Sequence, residues 1–278
     1  MRDDIRELQD TLAATQFACV PPGVQSTSDD IYSAVQRAYP ELCDDGLRCD
    51  DVCADGADQP EWKHAVRRVQ QQLGRQDNTR ISPHDEYGMW RVERPKLFLV
   101  PVNDEWIDRF KRTVGTPVEP SDSATIPESI APLLPARIWG STAGPQTERY
   151  FTEMRPRDCL LFYRDGDFFA GGVVGQTLDD PEVGSWLWGN PESRFIFTTA
   201  EYYDWAPAIT RIWDALDYNG TPRIQGFLRV SPDRLDNLYS DERSLEATLF
   251  GRTSGSSTQA DTDESDTALD GRNVDDPE

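Results

Sequence analysis

The sequence predicts an α+β chain: a helical N-terminal module closed by a β-hairpin, a small mixed β-barrel with flanking helices, and a disordered acidic tail. Three observations carry this expectation. Apolar residues recur at helical spacing up to about residue 74. From residue 96 to 231, short runs rich in β-branched and aromatic residues take over. Residues 252–278 hold eight acidic side chains and no aromatic, too little apolar surface to offset the entropy of ordering.

Taken in order, Asp3 to Leu12 reads as a short helix, ended before Pro21-Pro22-Gly23, so residues 1–26 form a helix and linker. Ser28 is a candidate N-cap for a helix through Ala38, with Ile31, Tyr32, Val35 and Ala38 on one face and Pro40 as its stop. A loop rich in Cys and Asp follows, from Cys43 to Gly56. Pro60 suits the first turn of the next helix, which runs to Gly74 with Trp62, Ala65, Val66, Val69 and Leu73 as its apolar stripe. TRISPHDEYGMWRV then reads as two short strands around a turn. Helix, loop, helix and hairpin make residues 27–95 a winged helix-turn-helix, with Arg67 and Arg68 on the groove-facing helix and Arg75, Arg80 and His84 on the wing. Basic helix faces also occur in protein–protein modules of this shape.

The second module spans 96–251. LFLVPV is a buried strand, and NDEWIDRFKRTV an amphipathic helix with Trp106, Ile107 and Phe110 inward. Strand-like runs follow at ARIWGST, DCLLFYRDG, DFFAGGVVGQT, SRFIFTT and GFLRVS. Arg164-Asp165-Gly166-Asp167 is a strong hairpin signal between LLFY and FFAGGVV. Gly171 and Gly172 inside a strand point to a bulge or a close backbone approach. Leu235 to Leu249 reads as a closing helix.

The chain of 278 residues carries 50 acidic against 28 basic side chains, a net charge of −22, and its only lysines are Lys63, Lys96 and Lys111. Two readings fit. A halophile's surface keeps the protein hydrated in concentrated salt, where the Debye length falls to about 3 Å and repulsion from phosphate weakens. Alternatively, the chain avoids nucleic acid. No apolar run approaches the ~20 residues of a spanning helix, and MRDDIRELQD is no secretory signal; a cytoplasmic protein without membrane partners is expected.

No catalytic constellation is visible. The only histidines are His64 and His84, and neither a Gly-x-Ser-x-Gly elbow nor a P-loop occurs. Glu61-Trp62-Lys63 fits half of a metal-dependent nuclease motif, but at the start of a helix rather than the end of a strand. Cys43, Cys49 and Cys53, with His64, could hold zinc. Their C-x5-C-x3-C spacing lacks the usual C-x2-C knuckle, so free thiols and a disulfide stay open beside it, and no cofactor is expected. The tryptophans say more. Trp139 in IWGST and Trp186 and Trp188 in SWLWG sit beside glycine and small hydroxyl residues, a pattern that suits a pocket for a flat ligand as well as core packing.

Together, LFLVPVND, IWGST, MRPRDCLLFY, FFAGGVVGQT and GFLRVSP resemble, in order, the motifs of the YTH and EVE branch of the PUA-like superfamily. The chain departs from that pattern at Arg157, where a glycine is usual before Asp158. The resemblance implies a PUA-like small mixed β-barrel that takes a modified nucleobase into an aromatic pocket. It assigns Trp139 as the cage tryptophan, Ser141 and Thr142 as polar edge contacts, Asn103 as the base-reading amide, and Trp186 or Trp188 as the opposite wall. Arg109, Lys111, Arg112, Arg155, Arg157 and Arg194, with Arg67 and Arg68, are the candidate phosphate contacts. More loosely, YPELCDD and PEWKHAVRRVQQQL resemble winged-helix modules of prokaryotic modification-dependent restriction systems.

The expectation is therefore a non-enzymatic DNA-binding reader of a methylated base in a restriction or defence setting, with a separate nuclease subunit as partner. An RNA-binding module that recognises methylated RNA, and a metal-dependent nuclease with an unrecognised site, are the alternatives.

Overall fold

The computed structural model describes residues 2–49, 59–76, 79–84, 86, 88–120, 126–220, 223–239 and 244–251. The acidic tail and Cys53 lie outside them. Among the described residues, no helix is long and apolar enough to cross a membrane.

The N-terminal half runs α1 (Asp3–Thr15), β1 (Gln25–Thr27), α2 (Ser28–Ala38), α3 (Glu61–Leu73), β2 (Ile81–Pro83) and β3 (Met89–Val92). β3 is the central strand of a three-stranded antiparallel sheet, with β1 and β2 on its two sides. The cap of α2 lies one residue before Ser28. Thr27 accepts from the Asp30 amide at 3.1 Å while Asp30 accepts from the Thr27 amide at 2.9 Å, a reciprocal capping box. Residues 1–26 are not a separate arm: Ile5, Leu8 and Leu12 of α1 share one buried cluster with Ile31 and Val35 of α2 and Trp62, Val66 and Val69 of α3. A 13-residue helix with one apolar stripe is marginal in water until that stripe is covered.

The C-terminal half contains β4 (Leu97–Pro101), α4 (Ile107–Phe110), β5 (Arg137–Ser141), α5 (Pro145–Thr152), β6 (Cys159–Arg164), β7 (Asp167–Asp179), α6 (Pro181–Trp188), β8 (Phe195–Tyr203), α7 (Ile209–Ala215), β9 (Leu228–Arg229), α8 (Pro232–Leu235) and α9 (Leu245–Phe250). Its six strands form one sheet in the order β5-β8-β7-β6-β4-β9, in which only β4 and β6 are parallel. The sheet is open. β5 and β9 are its two edges, so the closed barrel expected from the sequence is not formed. Both faces are nonetheless covered. Phe98, Val100, Leu160 and Phe162 point into one core, and Leu97, Leu99, Cys159 and Leu161 into the other. Burial on both sides explains why LFLV and CLLF read as unbroken apolar runs rather than alternating ones.

The β6–β7 hairpin turns where expected, with positive φ at Asp165 (52°) and Gly166 (89°), the signature of a tight primed turn. Gly171 proves to be a close approach: a Cβ there would collide with the Phe250 ring, which packs α9 onto β7. Two predicted elements differ. In place of one helix from Leu235 to Leu249 stand the short α8 and α9. SWLWG, read as strand-end aromatics, is the last turn of α6, whose Asp180 cap accepts from the Glu182 amide at 2.7 Å and whose Gly189 exits at φ 66°. Asp-Pro before an apolar stretch with glycine after it is a helix signal, and it prevails over the aromatic content.

Candidate functional site

β4 ends at Pro101, and the chain turns at Asn103 into a single 3-10 turn, Asp104–Trp106, closed by the Trp106 amide donating to the Asn103 carbonyl at 2.9 Å. From edge strand β5 comes Trp139, only 3% exposed, its ring meeting the edges of Phe110 at 5.6 Å, Trp188 at 5.9 Å and Trp106 at 6.1 Å. Ser141 and Thr142 follow it at the end of the strand, and Thr147 sits in the first turn of α5. These segments border an open pocket of about 210 Å³ lined by Asn103, Trp106, Trp139, Ser141, Thr142 and Thr147, with Val100 and Phe227 among its apolar walls. The volume lies below the ~300–1,000 Å³ typical of drug-sized sites and suits one flat ring system. No ionisable side chain lines it, so the wall is neutral. Among the described residues the polar side chains of Asn103, Ser141, Thr142 and Thr147 make no hydrogen bond to the protein, with Asn103 and Thr142 exposed at the rim and Ser141 and Thr147 half-buried.

Four of the residues expected at the pocket, Asn103, Trp139, Ser141 and Thr142, are thus brought together from two separate segments. The opposite wall is a correction. Trp188 lies behind Trp139, where a Cβ on Gly140 would come within 2.6 Å of its ring, and Trp186 lines a shallow depression with Pro127, Pro181 and Pro191. Their helix buries Trp188 in the core and leaves Trp186 half-buried against the margin of the same cluster. The second tryptophan that lines this pocket is Trp106, which helical periodicity had assigned to packing; its place one turn after Asn103 was the available signal.

The cations divide. Arg157 is not a phosphate contact: it bonds Glu201 at 2.7 Å and Glu246 at 2.6 Å. Its backbone has φ 70°, the left-handed region that explains why glycine is usual there. Arg80 is no wing residue either. Its guanidinium is 3% exposed and pairs with the fully buried Asp158. Arg109 covers the Trp106 ring at 5.5 Å. Lys111 lies 3.9 Å from Asp108, and Arg112 donates to the Asp108 carbonyl at 3.3 Å. Arg155 donates to the Met154 carbonyl at 3.0 Å, and Arg194 pairs with Asp179. Arg67 donates to the Tyr32 hydroxyl at 3.2 Å, while Arg68 and Arg75 are exposed on and just after α3. His84 meets Gln25 at 2.8 Å.

A larger cleft, about 710 Å³, runs between the two halves, lined by Arg80, Arg94 and Arg157 together with Glu93, Asp236 and Glu246. Arg94 pairs with Asp236 at 2.8 Å and lies over the Tyr239 ring. Every arginine in it is already occupied by a carboxylate.

Of the zinc candidates, Cys43 is buried in the N-terminal core and burial, aided by Asp45 and Glu41, pushes its thiol up to about 12. Cys49 is half-buried and, like Cys43, carries a free thiol. Among the described residues no three His, Cys, Asp or Glu side chains converge as a metal site. Glu61 and Lys63 lie in the first turn of α3, with the ammonium 5.3 Å from the Tyr32 ring centre.

No known family's sequence profile matches this chain, and no curated protein does. Among solved structures it is similar to the N-terminal domain of Thermococcus gammatolerans McrB bound to m5C DNA. The identity is 16% and the TM-score 0.41, over 52% of this chain and 95% of that one. A likeness at that level carries no inference about this chain.

Proposed function

We propose that this protein reads a modified, methylated base in duplex DNA, receiving it flipped out of the stack into the pocket at Trp139. The observation that carries the reading is the convergence of two indole rings and four unspent polar side chains on one neutral cavity. Flipping costs a few kcal/mol. Stacking on an aromatic wall returns ~1–3 kcal/mol per base, and a buried methyl adds about 0.8 kcal/mol. The Asn103 amide and the Ser141 and Thr142 hydroxyls face the polar edge of the base, where a wrong partner would leave them unpaired.

The N-terminal half supports duplex binding. Its order of helix, strand, two helices and two strands, with the last strand central, is compatible with a winged helix, and on that reading α3 would be the helix offered to a groove. We place the protein in a modification-dependent restriction or defence system, as an EVE/YTH-type reader whose partner nuclease does the cutting. The test is a titration in high salt with duplexes that differ in one base: plain cytosine or adenine, 5-methylcytosine, 5-hydroxymethylcytosine or N6-methyladenine. A preference of about tenfold, ~1.4 kcal/mol, for one modified duplex is expected. Equal affinity for all would refute it, and tighter binding to a methylated single-stranded RNA would move the ligand class to RNA.

A further inference from the structure

The N-terminal module is not hung on a flexible tether. Only residues 93–96 separate β3 from β4, and hydrogen bonds tie the joint on the wall of the cleft. Arg80 spends its fork on Asp158, the Pro156 carbonyl and, at 2.9 Å, the Glu93 carbonyl. Asp158, buried beneath it, also accepts from the Lys96 and Arg155 amides, each at 2.7 Å. Gln16 at the end of α1 accepts from the Arg80 amide at 3.2 Å, and Tyr239 donates to the Pro95 carbonyl. From that joint β4 runs directly to Asn103 and Trp106 at the pocket, five residues of strand at about 3.3 Å each. The base pocket and α3 are therefore held at a fixed separation.

α3 presents a distinctive face. Opposite its buried stripe, Arg68, Gln71, Gln72 and, in the turn that follows, Arg75 are all exposed. Among the described residues neither arginine forms an ion pair, although the arginines around the pocket and in the cleft are held by acids, carbonyls or rings. Arginine forks match the major-groove edge of guanine and glutamine amides that of adenine. On a chain of charge −22, cations left unneutralised on one helix face complement a phosphate-lined groove.

We infer that the protein is a composite reader: α3 reads a short base sequence in the same duplex, at one fixed distance and on one side of the modified base in the pocket. This rests on the base-reader proposal. A rigid joint leaves no other register, since one inserted base pair moves the sequence element by about 3.4 Å and a tenth of a turn.

The experiment is a selection with the full chain in high salt, on duplexes carrying one central modified base and about ten randomised base pairs on each side. A flanking motif at a single distance is expected, and one base pair inserted before it should cost about tenfold or more in affinity. Arg68→Ala combined with Gln71→Ala should erase the motif and leave the preference for modified over plain duplex intact. A modified-base preference with no motif, or with motifs at several distances, would overturn the composite reader while leaving the pocket reading standing. A motif without any modified-base preference would overturn the pocket reading and, with it, the composite.

Discussion

The two cavities of this molecule differ in what their polar groups have left to give. The interdomain cleft is more than three times the larger and far richer in charge, yet its arginines are spent on Asp158, Asp236, Glu201 and Glu246. The Trp139 pocket holds no charge, and its amide and hydroxyls have no partner among the described residues. In the cleft the buried ion pairs are satisfied inside the protein and act as a joint, and the proposed reading rests on the open hydrogen-bonding capacity of the smaller, neutral pocket.

The sharpest way to break this contrast is to remove one side of the joint. Arg80→Met leaves Asp158 buried and uncompensated, and should cost about 3–5 kcal/mol of stability, read by urea unfolding. The folded protein should keep its preference for modified duplex. A stable variant that had lost that preference would place Arg80 in the site instead.

Trp106→Ala inverts the expectation. The indole is half-buried, so the fold should hold while affinity for the modified duplex falls by about 1–3 kcal/mol. Unchanged affinity would return Trp106 to packing. Ser141→Ala should act in the same direction but less, about 0.5–1.5 kcal/mol of binding, and a matched loss for plain duplex would show that the hydroxyl does not discriminate.

The smallest effect belongs to the cleft's carboxyl pair. Burial raises Glu246 above the ordinary glutamate range, while the half-buried Glu201 is held low, against its own desolvation, by the hydrogen bond from Arg157. The Tyr203 hydroxyl lies within hydrogen-bond distance of both, 2.9 Å from Glu246 and 3.1 Å from Glu201, and has one proton to share between them. Because the folded value of Glu246 exceeds the unfolded one, its stabilising contribution is full below the usual glutamate range and fades as pH rises through the folded value. Glu246→Gln mimics the protonated form, so its Tm should decline less than the parent's as pH rises above the ordinary glutamate range. Parallel Tm profiles would contradict the assignment.

Much of this was legible in the chain. Helical spacing located α2 and α3, the Asp165-Gly166 turn located the β6–β7 hairpin, and of the bulge or close approach left open at Gly171-Gly172 the structure shows a close approach, by Phe250, at Gly171. IWGST and the asparagine after LFLVPV marked half the pocket. The illegible parts share a cause. Trp106 and Trp188 have the same local signature, an apolar residue in a helical turn, and only the placement of that turn against β5 separates wall from backing.

What the sequence by itself determined is what depends on near neighbours: caps, turns, the periods of helix and strand, and the two-sided burial of LFLV and CLLF. The tertiary structure decided which arginines are spent, which tryptophan lines the cavity, and that the sheet stays open. Arg80 meets Asp158 across 78 positions of chain and Arg157 meets Glu246 across 89. Pairings at such separation leave no periodic trace, because charge and ring contacts are selected by shape and desolvation in the packed core rather than by spacing along the backbone.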